Sequence, residues 1–120
     1  MATFLRTPET MRKYAEERVL VAGQRQGHCV LCEEEPIEKF IYWKIIPNKF
    51  PYDQIATQND MLVPLRHAVG DELSREEKDE FENLKRVYVR EKYDSMMENT
   101  PRTMTKPSHF HIHLLKLKRS

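Results

Sequence analysis

The chain has 120 residues, enough for one domain with a modest core and too few for two. Its 20 basic and 19 acidic residues nearly cancel, which argues against a general nucleic-acid or membrane-surface binder. No apolar run approaches the roughly 20 residues of a membrane span, and the plentiful apolar residues argue against wholesale disorder.

No signal-peptide pattern opens the chain, so a soluble cytoplasmic protein with reduced cysteines is expected. From the N-terminus, "TPETMRKYAEERVLVAG" reads as a helix. Thr7 suits its cap, Pro8 its first turn and Gly23 its end, while Met11, Tyr14, Ala15 and Val19 form an apolar face. The next stretch, to Pro36, is loop-like and holds Cys29 and Cys32. "IEKFIYWKIIP" (37–47) has the β-branched and aromatic content of a strand. "NKFPYD" (48–53) is a turn, and "MLVPL" (61–65) a short second strand, with Pro64 at an edge or bulge.

The longest predicted helix covers residues 74–97. Ser74 and Glu77 make a capping box, and Phe81, Leu84, Val87 and Tyr88 supply the buried stripe. A loop with two prolines follows, and the last strand runs from His109 to Leu117. The expected fold is α+β: an antiparallel sheet, one long helix after the second strand and an additional N-terminal helix.

In that last strand His109, His111 and His113 alternate with Phe110, Ile112 and Leu114. Strand side chains alternate faces, so three imidazoles project from one side while the apolar residues anchor the other. Chance exposure, a metal-binding face and a rigid catalytic array all remain open on this pattern alone. Cys29 and Cys32 likewise fit reduced structural thiols, a redox pair, or half of a zinc site lacking two ligands. Asn48 reads as a turn residue on local grounds.

The run His109 to Leu115, with the Pro64–His67 "PLRH" turn upstream and the "CVLC" pair, resembles the signature of the histidine-triad (HIT) superfamily over roughly residues 29–117. The resemblance implies a single HIT-like domain over residues 1–120, with an N-terminal helical extension (1–23). It implies a nucleotide substrate attacked at its α-phosphate by His111, with His113 hydrogen-bonding phosphoryl or leaving-group oxygens. Asn48, Asn99 and Ser108 are then candidate nucleotide contacts. Cys29, Cys32, His67 and His109 are candidate ligands of a structural zinc. A homodimer is compatible with the family habit of pairing along the long helix, and no nucleic-acid or membrane partner is expected.

The chain also departs from the pattern. Asn59 and Asp60 stand where many members carry a Gly-His pair, and Thr105–Ser108 replace the usual Gln and Ser/Thr before the triad. A zinc-stabilised nucleotide-binding module with little turnover is therefore the competing function. A metal-dependent hydrolase using all three histidines is a third.

Overall fold

The computed structural model describes residues 5–22, 29–100 and 109–119, with the side chains of helix α1 described through residue 17. Helix α1 (Pro8–Ala22) starts where Thr7 and Pro8 predict. The Asp53 carboxylate takes the Thr7 N–H at 2.9 Å and the Thr10 hydroxyl at 2.5 Å, pinning this helix start to the loop before the third strand. Met11 and Tyr14 are half-buried, but Ala15 is exposed and does not belong to the packed face. Gly23 and the stretch 105–108, like the side chain of Val19, lie outside the described residues.

A short helix, α2 (Val30–Glu33), carries the cysteine pair. Five strands follow: β1 (Glu38–Lys39), β2 (Trp43–Pro47), β3 (Ala56–Pro64), β4 (Ser95–Met97) and β5 (Ile112–Leu117). They form one antiparallel sheet in the order β1-β2-β3-β5-β4. Between β3 and β4 lies helix α3 (Arg75–Leu84), which runs through a π-helical turn (Lys85–Val89) into a last helical turn (Arg90–Lys92). The class is the expected α+β, with four differences in detail.

First, residues 37–47 are a tight hairpin and not one strand. The Phe40 N–H donates to the Trp43 carbonyl at 2.7 Å, and the Glu80 carboxylate collects the Ile41 and Tyr42 N–H groups at 3.1 and 2.7 Å. The long helix consequently follows the third strand. Second, β3 begins at Ala56, five residues ahead of the expected strand. Gln58, Asn59 and Asp60 disfavour a strand on propensity, yet Asn59 and Asp60 are buried with their polar atoms bonded. Third, Ser95–Met97 pair with β5 instead of extending the helix. Fourth, Val87 is 62% exposed, and Val89 takes its place in the core. The π-helical turn widens the helix by one residue, so the residue facing the sheet after Leu84 falls five positions on.

The sheet divides the core. On one face Trp43, Ile45, Leu62, Ile112 and Leu114 pack against Leu84 and Val89, with Phe81, Tyr88 and Phe110 alongside. On the other lie Ile46, Met61 and Val63 under Leu31 of α2, and Ala56 and Leu115 under Leu5 and Tyr52. Phe110, Ile112 and Leu114 thus anchor the last strand as its alternation predicts. Among the described residues no helix is long and apolar enough to cross a membrane.

The start of α3 carries the predicted capping box: Ser74 Oγ accepts the Glu77 N–H at 3.1 Å, and Glu77 Oε1 accepts the Ser74 N–H at 2.7 Å. Glu77 also holds Arg66 through two contacts of 2.9 and 3.3 Å. Ser74→Ala is expected to lower the unfolding free energy by about 1 kcal/mol in urea titrations. Glu77→Ala is expected to cost more, because it also strands Arg66. The Arg66 hydrogen bond is the main influence holding the Glu77 carboxyl below its usual range. Its contribution is therefore complete above the unfolded pKa and is lost as pH falls through the lower folded value. Between about pH 5 and about pH 3 the wild type should lose more stability than Glu77→Ala.

Candidate functional site

Antiparallel pairing sets Met61 opposite His113 and Asn59 opposite Leu115. Asn59, Met61, His113 and Leu115 consequently share the sheet face away from α3. His109, His111 and His113 are all buried, with His111 only 4% exposed. Such rings must find partners inside the protein, and each does so in a different way.

His109 sits just ahead of β5 with Nε2 3.3 Å from the Pro64 carbonyl. A carbonyl only accepts, so Nε2 carries the hydrogen and Nδ1 the lone pair. Nδ1 lies 3.2 Å from Cys29 Sγ and 3.3 Å from Cys32 Sγ. His67 Nδ1 is 3.2 Å from Cys32 Sγ, and its ring meets His109 edge to face at 4.8 Å. One ligand atom from each of Cys29, Cys32, His67 and His109 lies within 4.8 Å of all the others, so this group could hold a metal ion. A tetrahedral ion with metal–sulfur bonds of about 2.3 Å and metal–nitrogen bonds of about 2.0 Å has S···N edges of about 3.5 Å. The donor set fits such an ion with small adjustments. The Pro64 carbonyl then acts as the outer partner that orients the His109 ring.

Local structure explains the convergence. Cys29 stands just ahead of α2 and Cys32 lies one turn on, so both sulfurs leave the same side of a short helix. Lys44 is buried beneath α2 and donates to the Cys32 and Glu34 carbonyls at 3.1 Å each, holding the C-terminal end of the helix to the sheet. Arg66, clamped by Glu77 and by the Glu72 carbonyl at 2.8 Å, fixes the turn that presents His67. Burial pushes the His109 imidazole down to about 4, so it is neutral and able to ligate at pH 7. Cys32 is exposed as a residue, yet desolvation of its sulfur, followed by the neighbouring Cys29, pushes the thiol up to about 11.

His111 donates Nδ1–H to the carbonyl of His109 at 3.0 Å, which leaves the lone pair on Nε2. His113 meets His111 edge to face at 5.4 Å and stacks on Tyr52 at 4.4 Å. Its Nδ1 lies 3.3 Å from Asn59 Nδ2. Burial, then the neighbouring His111 ring and the Arg6 guanidinium, hold its imidazole down at about 3. Arg6 is buried between the Tyr14 and Tyr52 rings, its guanidinium carbon 4.5 and 4.8 Å from their centroids. Tyr14, Arg6, Tyr52 and His113 therefore tie the N-terminal helix to the triad.

Of the other expected contacts, Asn48 occupies the turn role: its Oδ1 accepts the Phe50 N–H at 3.1 Å and its Nδ2 donates to Asn59 Oδ1 at 2.9 Å. Asn99 Nδ2 donates to the Tyr52 hydroxyl at 2.9 Å. Ser108 lies outside the described residues. Asn59, Tyr52, Lys44 and Arg6 are contributors that the motif reading missed. For Asn59 a signal existed in its place on the same period-two face as Met61 and Val63. For Arg6, far away in the chain, there was none.

No protein-family model matches the chain, and neither does any curated protein.

Metal binding here must displace thiol protons. Cobalt(II) added to the reduced protein is expected to give thiolate charge-transfer absorption that is lost in Cys29→Ser/Cys32→Ser. Apparent affinity should fall as pH drops, with proton release measurable in weakly buffered solution. Absorption unchanged by the double substitution would remove this group as the ligand set.

Proposed function

We propose that the chain is a histidine-triad hydrolase or nucleotidyl transferase, acting at the α-phosphate of a nucleotide through a covalent nucleotidyl-His111 intermediate. The observation that carries this reading is the His111 Nδ1–H bond to the His109 carbonyl at 3.0 Å. With Nδ1 carrying the hydrogen, the neutral form of the ring has its lone pair on Nε2, which is what nucleophilic attack near pH 7 requires. In the first step Nε2 forms a bond to phosphorus, and the bond to the leaving group breaks, that group keeping the electron pair. In the second step water or another acceptor attacks phosphorus, the P–N electron pair returns to Nε2, and the attacking oxygen gives up its proton to solvent. His113, beside it, contributes hydrogen bonding to the developing charge. Asn48 has one amide hydrogen beyond its bond to Asn59 with which to meet the nucleotide.

Cys29, Cys32, His67 and His109 would hold zinc, the ion that a two-sulfur, two-nitrogen tetrahedron suits best. When bound it would supply a structural cross-link between α2, the Pro64–His67 turn and the start of the last strand. A reducing cytoplasmic setting keeps the thiols available for it. Among the described residues the metal-capable group takes His109 alone from the triad, which favours this division over a hydrolase with three histidine ligands.

The burial of His111 favours one alternative, a nucleotide-binding module with little turnover. Substrate entry requires local opening around that ring, and slow opening would limit the rate. The two readings separate on one experiment. Incubated with adenosine 5′-phosphate derivatives carrying phosphate or amine leaving groups, the wild type should accumulate a nucleotidyl adduct on His111, seen by mass spectrometry of a rapid acid quench. His111→Ala should form none and lose at least about 10³-fold in turnover. Nucleotide binding without adduct or turnover in the wild type would establish the binding module instead.

A further inference from the structure

Asn59 stands in a strand otherwise filled with apolar side chains on its face, and its amide is fully committed. Backbone groups dictate how. The Tyr52 N–H can only donate, so the amide atom 3.0 Å from it is Oδ1, which also accepts Asn48 Nδ2–H at 2.9 Å. The Asp60 carbonyl can only accept, so the atom 3.0 Å from it is Nδ2. The second Nδ2 hydrogen faces His113 Nδ1 at 3.3 Å. That nitrogen must then hold the lone pair, and neutral His113 carries its hydrogen on Nε2. A second proton could enter only at Nδ1, against an N–H that cannot turn away without losing its bonds to Tyr52, Asn48 and Asp60. Tyr52, stacked on the ring at 4.4 Å, limits any swing of the imidazole.

His111 and His113 are therefore set in opposite tautomers by different partners. His111 offers a lone pair at Nε2, and His113 offers an N–H there. Neutral His113 can donate a hydrogen bond but cannot surrender that proton without becoming an imidazolate. The leaving group consequently receives no proton from it.

We propose that Asn59 is a positioning residue that locks His113 as a neutral Nε2–H donor, and that the site in consequence favours α-phosphate substrates whose leaving group departs as a stable anion. This rests on the nucleotidyl-histidine reading above. A phosphate or polyphosphate leaving group satisfies the requirement: the P–O bond breaks, the oxygen keeps its electron pair, and the resulting oxyanion needs only a hydrogen bond. An amine does not, because breaking its P–N bond leaves a strongly basic nitrogen unless a proton arrives. The depressed pKa of His113, about 3, agrees with this neutrality. A general acid is worth about 10²- to 10⁴-fold in rate, and among the described residues the imidazole that meets the nucleophile's ring does not serve as one.

Two measurements on the metal-loaded chain test the proposal. Long-range ¹H–¹⁵N spectra of histidine-labelled protein should report His113 as the Nε2–H tautomer, unchanged across about pH 5.5 to about pH 8. An Nδ1–H tautomer or an imidazolium in that window overturns the role given to Asn59. Asn59→Asp, which offers Nδ1–H an acceptor, should convert His113 to imidazolium in the same spectra. In turnover assays, diadenosine polyphosphate should be cleaved about 10²-fold or more faster than an adenosine phosphoramidate of a simple amine. Asn59→Asp should narrow that ratio at least about tenfold by raising the phosphoramidate rate. Equal rates in the wild type, or a ratio unmoved in a folded Asn59→Asp, overturn the leaving-group preference. If Asn59→Asp does not fold, the wild-type spectrum and the wild-type ratio decide. If the wild type forms no adduct with either substrate, the nucleotidyl-histidine reading fails and the substrate preference with it. The spectrum still judges Asn59 by itself.

Discussion

The register that sets Met61 against His113 is the constraint on which the rest depends. Strand side chains alternate faces, so a slip of one residue would turn the three imidazoles toward α3 and bring Ile112 and Leu114 out of the core. Two things oppose that slip. Leu62, Ile112 and Leu114 are almost wholly buried with Trp43, Ile45 and Leu84, and exposing them would forfeit several side chains' worth of hydrophobic stabilisation at about 1.5–3 kcal/mol each. On the opposite face Asn59 meets His113, and in the wrong register both would be buried without partners. Apolar and polar faces thus specify one alignment for independent reasons.

Burying three imidazoles side by side is costly unless each stays neutral and hydrogen-bonded. His109 uses the Pro64 carbonyl, His111 the His109 carbonyl and His113 the Asn59 amide. Two of these partners are backbone groups, and the third is an amide whose orientation backbone groups dictate. The tautomers are therefore properties of the fold and not of rotatable side chains. The N-terminal segment belongs to the same arrangement. Arg6 donates Nε–H to the Phe50 carbonyl at 2.7 Å and lies over the Tyr52 ring that stacks on His113. The extension ahead of the sheet is in this way part of the wall around the triad.

Much of this was legible in the sequence, and what was not has identifiable causes. The period-two pattern of 109–114 foretold which side chains anchor the last strand, and Ser74 with Glu77 marked the helix start. Both signals are local. The first half of the strand at 56–64 is hidden in sequence because Gln58, Asn59 and Asp60 are poor strand formers in isolation. The burial of Asn59 and Asp60 is offset by partners distant in the chain: His113 for Asn59, Tyr93 for Asp60. The hairpin at 37–47 looks like one strand in sequence because Phe40–Tyr42 contain neither Gly nor Asn; Glu80, on a helix, completes the turn instead. A periodic stripe presumes an unbroken α-helix and so puts Val87 in the core; the π-helical turn that moves it out is not written in composition. The metal-capable group could be assembled from the family resemblance but not from spacing, since its members are up to 80 positions apart.

His109 joins the two halves of the site through different parts of one residue. Its ring belongs to the group with Cys29, Cys32 and His67, while its backbone carbonyl accepts the His111 Nδ1–H. Fixing the ring at one end restrains the residue whose backbone carries the carbonyl at the other. A tether on the ring therefore stiffens the acceptor that selects the His111 tautomer. The same residue's Nε2 is fixed by Pro64 at the end of β3, so α2, β3 and the run into β5 meet at one imidazole. A metal ion at this point would need no contact with a substrate to influence chemistry at His111. Its effect would pass through one peptide unit and be felt as the precision with which a lone pair is aimed.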